Sequence, residues 1–236
     1  MTTTSATASG PAGTVPATGA TAREREYLEV IYYLTARGEP VIAARIADWL
    51  KVSAPTVSNT LKRLERKGHI TRDASGAIQL TATGLSTAEV IVRQHRLLEC
   101  FLVDVMDMPW EVLHEEAVRL ERQLSPRFEA RIEQLVGRSP TCPHGNPVPG
   151  NRSEYDGTIR LDQAATGRPF RLLRIVEEAE EDTELMAYLY HHRLVPGTVV
   201  TVLEERYSGL QLQRADDPPV TLSREIATSL WGEPEP

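Results

Sequence analysis

The apolar positions of this chain fall into two regimes. Between residues 23 and 136 they recur every three or four positions, as helices require, and beyond residue 158 they come in short runs, as strands do. In the first regime Tyr27, Val30, Ile31 and Leu34 mark a helix that Gly38 and Pro40 end. A shorter helix is predicted from Ile42 to Leu50. After a Lys51-Val52-Ser53 connection a third covers roughly Pro55 to Lys67. Pro55 falls in its first turn, where a missing amide costs little, and Ser53 is placed to cap it. Gly68 stops this helix. His69–Arg72, the turn Asp73-Ala74-Ser75-Gly76 and Ala77–Thr81 then read as a β-hairpin. A long helical stretch follows from Ala82 to about Met106. Next come a helix from Pro109 or Trp110 to Leu124 and one opened by Ser125-Pro126 that ends near Val136-Gly137.

In the second regime the β-rich runs are Phe170–Val176, Val199–Leu203, Leu210–Gln213 and Val220–Leu222, with a helical piece, Glu184–His191, between the first two. They predict a small β-barrel. Proline and glycine crowd residues 138–157, which marks a linker. Residues 1–21 are Thr, Ala, Ser, Gly and Pro with almost no large apolar side chains, too few to offset the entropy of ordering, so a disordered tail is expected. The predicted division is therefore 1–21 tail, 22–82 first domain, 83–137 helical domain, 138–157 linker and 158–232 barrel. The fold class is mainly α with a small β part. Helix, helix, helix, hairpin is the order of a winged helix-turn-helix.

Composition narrows the class further. Of 236 residues 41% are hydrophobic and 25% charged, ordinary for a globular protein, and no run approaches the ~18 apolar residues of a membrane helix. The N-terminus lacks a secretory layout, so no membrane association or export is expected. Cys100 and Cys142 lie far apart with no CxxC spacing, which makes a reducing cytoplasm the simplest compartment. The formal net charge of −7 argues on its face against nucleic acid. The distribution reverses that argument. From Lys51 to Arg72 the chain carries Lys51, Lys62, Arg63, Arg66, Lys67 and Arg72 against Glu65 alone. A basic patch supplies phosphate contacts while the rest stays acidic.

In a helix-turn-helix the second helix of the motif enters the major groove with its N-terminal residues at the base edges. Here that end presents Ser53, Pro55, Thr56, Ser58 and Asn59. Small hydroxyl residues allow close approach, a Pro or Thr methyl meets a thymine methyl, and Asn59 is suited to adenine. Lys62, Arg63 and Arg66 continue as phosphate clamps. The competing reading is a winged helix used for protein contacts, which would not need this basic run. An enzyme is not expected. His114-Glu115-Glu116-Ala117-Val118 begins like a zinc-protease helix but has Val118 where the second His must stand, and neither a nucleophile elbow nor a phosphate-binding glycine loop is present.

Three stretches carry a family resemblance: Ile46-Ala47 through Ser53-Ala54-Pro55-Thr56-Val57-Ser58, the block Gln94-His95-Arg96-Leu97-Leu98-Glu99, and Cys142-Pro143-His144-Gly145-Asn146-Pro147-Val148-Pro149. Together they resemble the diphtheria toxin repressor family of metal-dependent regulators, from about Ala22 to Trp231. The resemblance implies a winged-helix DNA-binding domain, a helical dimerisation and metal-binding domain and an SH3-like C-terminal domain. It also implies a homodimer on a palindromic duplex DNA operator, with Leu97, Leu98, Phe101, Leu102 and Val105 in the dimerisation region. Repression of metal uptake is the family's usual output.

The family's ancillary metal site corresponds to His95, Glu99 and His114. The first two lie four apart, on one helical face, and His95 also falls on the apolar stripe with Ala88, Leu98 and Leu102. In relatives the C-terminal domain adds an acidic ligand, for which Asp182 is the first candidate and Glu184 the second. The primary site departs from the family pattern. Its positions are Glu26, Val118, Glu121 and Arg122. Glu26 and Glu121 suit a metal, Val118 offers no ligand and Arg122 carries a fixed positive charge. Two arrangements stay open: Arg122 replacing the ion by bridging Glu26 and Glu121, or a rearranged site that uses Glu29 or Glu116. Cys142 and His144 are read as shaping the linker beside the ancillary site, with Arg96 and Asn146 near an anion, rather than as metal ligands. An imidazole and carboxylate set without thiolate suits Mn(II) first and Fe(II) second. The alternative function is a winged-helix regulator whose metal residues are vestigial and which answers another signal or none.

Overall fold

The structure, a computed structural model, describes residues 19–235 apart from 122, 152–156, 207–208 and 216. The predicted tail, as far as residue 18, lies outside the described residues. Helix α1 (Ala22–Ala36) opens on a capping box: the Glu24 amide donates to the Thr21 hydroxyl and the Thr21 amide to the Glu24 carboxylate. Helices α2 (Ala43–Trp49) and α3 (Ala54–Arg66) form the helix-turn-helix. Ser53 takes the N-cap position of α3, but its hydroxyl lies 2.8 Å from that of Thr56 and does not cap a backbone amide. Strands β1 (Ile70–Arg72) and β2 (Ile78–Leu80) pair antiparallel as the wing.

Helix α4 (Ala82–Asp104) starts at Thr81, whose hydroxyl accepts from the Gly84 amide. A 3-10 turn, Trp110–Val112, leads into α5 (Leu113–Glu121), and α6 (Pro126–Val136) begins at the Ser125 cap. The C-terminal unit contains β3 (Ile159–Arg160), β4 (Pro169–Ile175), α7 (Glu177–Glu180), α8 (Thr183–His191), β5 (Val199–Arg206), β6 (Gly209–Gln213), β7 (Val220–Leu222), α9 (Arg224–Thr228) and β8 (Leu230–Pro234). Its strands form an antiparallel sheet in the order β3-β8-β4-β5-β6-β7. The pattern of apolar runs predicted β4 to β7; it missed the two-residue β3 and the Gly232-containing β8, which bring the two ends of the unit together. Among the described residues no helix is long and apolar enough to cross a membrane.

Each unit has its own core. Tyr27, Leu28, Ile31, Leu34, Ile46, Val57, Leu61 and Leu64 close the first, Leu98, Leu102, Leu113, Ala117 and Ile132 the second, and Phe170, Leu172, Met186, Val200, Leu212 and Leu230 the third. Trp110 packs against both the second and the third. Leu97, Leu98 and Leu102, expected at a dimer surface, are spent inside the second core. Among the described residues, the exposed large apolar side chains of the helical unit are Leu85, Val105, Met106, Leu120, Phe128 and Leu135, of which Val105 was in the expected set.

The segment expected to be a linker is packed over its first half. Cys142, His144, Asn146 and Val148 are buried, and Thr141 bridges to Pro147. The Ile175 amide donates to the His144 carbonyl at 2.9 Å, which holds the segment against the end of β4. Gly145 makes this approach possible: its φ is +90°, and a Cβ there would stand 1.9 Å from the Leu173 carbonyl oxygen. Gly145→Ala is therefore expected to destabilise the protein by at least about 1–3 kcal/mol, since neither the backbone angle nor the space accepts a methyl. Urea unfolding at constant m-value checks this, and an unchanged midpoint would contradict it.

Candidate metal centre

The three units meet at a cavity of about 480 Å³ whose walls carry Glu26 and Glu29 from α1, His95 from α4, His114, Val118 and Glu121 from α5, and Glu180 from α7. Helix α4 projects His95 and, one turn on, Glu99 to the same side, and burial is nearly complete for both. Helix α5 crosses α4 and presents His114 and, seven residues later, Glu121.

Five donor atoms close a ring. His95 Nε2 lies 3.2 Å from His114 Nδ1, His114 Nδ1 3.3 Å from Glu180 Oε2, and Glu180 Oε2 3.3 Å from His144 Nδ1. His144 Nδ1 lies 3.6 Å from Glu99 Oε1, which returns to His95 Nε2 at 3.3 Å. Ligands about 2.1 Å from one cation are separated by about 3.0 Å at right angles and about 3.4 Å at the tetrahedral angle, so these spacings are those of a coordination sphere.

The rings are already oriented. The Nε2 of His144 sits 3.2 Å from the Trp110 carbonyl oxygen, which can only accept, so this nitrogen is the donor and Nδ1 is left facing Glu99 and Glu180. His95 Nδ1 lies 3.0 Å from Glu121 Oε2, which likewise leaves Nε2 toward the ring. The Asn146 amide donates to Glu180 Oε1 at 2.7 Å and frees Oε2. Both oxygens of Glu99 and Nδ1 of His144 are buried without a well-formed hydrogen bond. Such groups are costly unless a cation, or a proton, completes them.

The electrostatics show the same demand. Burial opposes charge on His95, yet Glu99 and Glu121 hold its pKa well above the ordinary value, and Glu180 and Glu99 do the same for His144. For His114, burial is outweighed by Glu180 and Glu99, and the pKa rises to about 9. Burial would raise Glu99, but His95 and His144 hold it well below the usual carboxylate range. Glu29 is the exception: burial and the charge of Glu121 push it up to about 7.

Of the residues expected from sequence, His95, Glu99 and His114 come together. Asp182 does not join them. It is exposed, caps α8 by accepting from the Leu185 amide, and Glu180, two residues earlier, reaches the ring in its place. Glu184 is also exposed. Glu121 faces His95, and its oxygen lies within 4.8 Å of ligand atoms of both His95 and Glu29. Glu26 lines the cavity, and the carboxylate of α1 that closes this second group is Glu29. Glu116 pairs with Arg119, and Val118 lines the cavity with an apolar side chain. Arg122 lies outside the described residues. Sequence reasoning passed over His144 as a ligand, and the expectation of a thiol-free site needs correction: Cys142 Sγ is within 4.8 Å of ligand atoms of Glu99 and His144. Burial pushes the Cys142 thiol up.

On the first unit, Ser53, Pro55, Asn59, Lys62 and Arg63 are exposed along one face of α3, with Thr56 and Ser58 half-buried beside them. Val57, Leu61 and Leu64 anchor the opposite face. Lys67 and Arg63 also pair with the buried Glu24, at 2.8 and 3.6 Å, which fixes the end of α3 against α1.

A basic helix on a winged domain, coupled to a carboxylate and imidazole cluster between domains, defines the class of metal-dependent DNA-binding repressors. Comparison with known proteins agrees. Residues 20–76 match the N-terminal DNA-binding domain of iron-dependent repressors, residues 81–150 their metal-binding and dimerisation domain, and residues 159–234 the FeoA domain. The iron-dependent repressor IdeR of Mycobacterium tuberculosis is 34% identical over 212 residues, covering 85% of this chain and 92% of its own. The diphtheria toxin repressor of Corynebacterium diphtheriae is 31% identical over 207 residues, with 81% and 91% covered. A solved manganese-dependent transcriptional repressor in complex with manganese superposes with a TM-score of 0.76 at 28% identity, covering 90% of this chain and all of that one. The chain belongs to the iron-dependent, diphtheria toxin repressor family. These relatives are transcription repressors, not enzymes.

With no ion bound, the raised pKa values have a signed consequence. The stability that the charged His114 ring contributes is complete below about pH 6.5, its unfolded value, and is lost as pH rises through about 9. Histidine NMR titration of chelator-treated protein should place His114 near 9 and His95 and His144 above the ordinary range. Three rings titrating near 6.5 would contradict the geometry.

Proposed function

We propose that this chain is a homodimeric repressor of metal-homeostasis genes that acts in the cytoplasm. It binds a palindromic operator through α3, and one divalent ion held by His95, Glu99, His114, His144 and Glu180 raises its DNA affinity. The closed ring of five donor atoms carries the reading. Glu121 orients His95. The ion supplies a charge that lets Glu99 and Glu180 approach each other; the residues do the rest, presenting lone pairs inward and excluding water by burial. Because Glu180 belongs to the C-terminal unit and His95 to the helical one, the ion favours the arrangement in which these units are closed on each other.

Mn(II) is the favoured ion, since imidazole and carboxylate donors with a thiol held protonated suit a hard, weakly competing cation. The match to a manganese-dependent repressor supports this. Fe(II) is the second reading, favoured by Cys142 beside Glu99 and by the greater identity to iron-dependent repressors. The exposed Val105, Met106, Leu120, Phe128 and Leu135 give the helical unit an apolar surface for a second copy. Buried, unpaired Cys100 and Cys142 accord with a reducing compartment.

Two tests follow. Glu180→Ala should lower Mn(II) affinity in calorimetry by about 10- to 100-fold, whereas Asp182→Ala leaves it within about threefold; equal losses would contradict the assignment. Retardation of a duplex selected against the wild-type protein from a random library should weaken about 5- to 150-fold when chelator removes the ion. Binding indifferent to chelator would favour a regulator with vestigial metal residues.

A further inference from the structure

The stretch 177–181, directly after β4 in the C-terminal unit, is acidic at four of its five positions, and its four carboxylates reach the metal ring, α4 and the paired ends of α1 and α2. Glu180 faces the metal ring. Glu177 accepts from Arg96 of α4 at 2.5 Å, next in sequence to His95. Glu178 accepts a two-pronged contact from Arg45 of α2, one arm at 2.8 Å, and lies 3.4 Å from Arg37 just beyond α1. Glu181 accepts from the Trp49 indole N–H at the end of α2, at 2.5 Å.

The receiving side is equally connected. Trp49 stacks on Tyr33 of α1, with centroids 6.0 Å apart and planes 23° apart. The Arg37 and Arg45 guanidiniums lie 5.0 and 5.6 Å from the Trp49 ring centre, and that of Arg96 lies 5.6 Å from the centre of Tyr33. One short turn thus binds the metal ring on one side and, on the other, the helix that precedes the DNA-reading helix. A turn of this length is stiff, so a shift of Glu180 carries Glu178 and Glu181 with it.

We infer that Glu178 and Glu181 are positioning residues which transmit metal occupancy to the DNA-binding unit through α2. This route rests on the metal-regulator reading above and needs no ligand at the Val118 position. An ion shared by Glu180 and by His95, Glu99 and His114 of α4 and α5 ties the turn to the helical unit, and the seated turn clamps α2. The two carboxylates have nothing to do with holding the ion itself, so metal binding and its transmission are separable.

The experiment uses the full chain with Mn(II) as the probe, reading metal affinity by calorimetry and hydrogen exchange along the backbone. In wild type, Mn(II) should slow exchange of the α2 amides, residues 43–49, by at least about fivefold. In the double variant Glu178→Gln/Glu181→Gln the Mn(II) affinity should stay within about threefold, slowing should persist in residues 95–121, and the effect on α2 should fall below about twofold. Arg45→Gln, which breaks the main contact from the opposite side, should do the same if the double variant folds poorly. Full protection of α2 by Mn(II) in these variants, or its absence in wild type that binds the ion, overturns the route and leaves the metal site standing. No Mn(II) binding by wild type overturns the metal reading, and the route with it.

Discussion

Glu99 is fully buried, ionised and without a well-formed hydrogen bond. An isolated carboxylate in such a place is among the most expensive arrangements a protein can hold. Here the cost is offset because three imidazoles converge on it. The same convergence demands that four structural pieces be present at once: α4 for His95, α5 for His114, the packed 141–148 segment for His144, and α7 for Glu180. The site is therefore an assembly point, and its occupancy reports on how the helical unit, the 141–148 segment and the C-terminal unit are arranged.

That constraint explains features that otherwise look unrelated. The Cys142–Pro149 segment folds tightly against β4 because His144 must be delivered there, and Gly145 is what its path over the Leu173 carbonyl requires. Trp110 contributes a carbonyl to His144 and a ring that stacks on Tyr190 of α8. Asn146, fully buried, holds Glu180 by one oxygen so that the other points inward. The supporting groups are as specific as the donors they orient, as expected where outer contacts set tautomer and direction.

Much of the fold was legible in the sequence because it depends on local periodicity and on Gly and Pro as punctuation. Helices α1 to α6 and the wing were predicted to within a few residues. Strands β3 and β8 were not, because a two-residue strand and a Gly-containing one lack alternation; β8 exists through pairing with distant β4, and β3 through pairing with β8. At the site, His95, Glu99 and His114 were legible through the i, i+4 spacing and family resemblance. Glu180 was displaced in the reading to Asp182 because acidic residues are dense between Glu177 and Glu184, and only the three-dimensional path of the turn decides which one points inward. His144 was discounted because a Pro- and Gly-rich segment reads as loose linker, whereas burial of its backbone is a tertiary effect. The substitution at Val118 was visible at once. That Glu121 turns to His95 instead was not.

The most direct measurement is anomalous scattering from crystals of the Mn(II)-loaded protein, collected at the manganese edge. The account predicts one strong ion per chain, about 2.1–2.3 Å from His95 Nε2, His114 Nδ1, His144 Nδ1 and an oxygen each of Glu99 and Glu180. An anomalous peak that bypasses Glu99, or none in protein loaded to saturation, would contradict it.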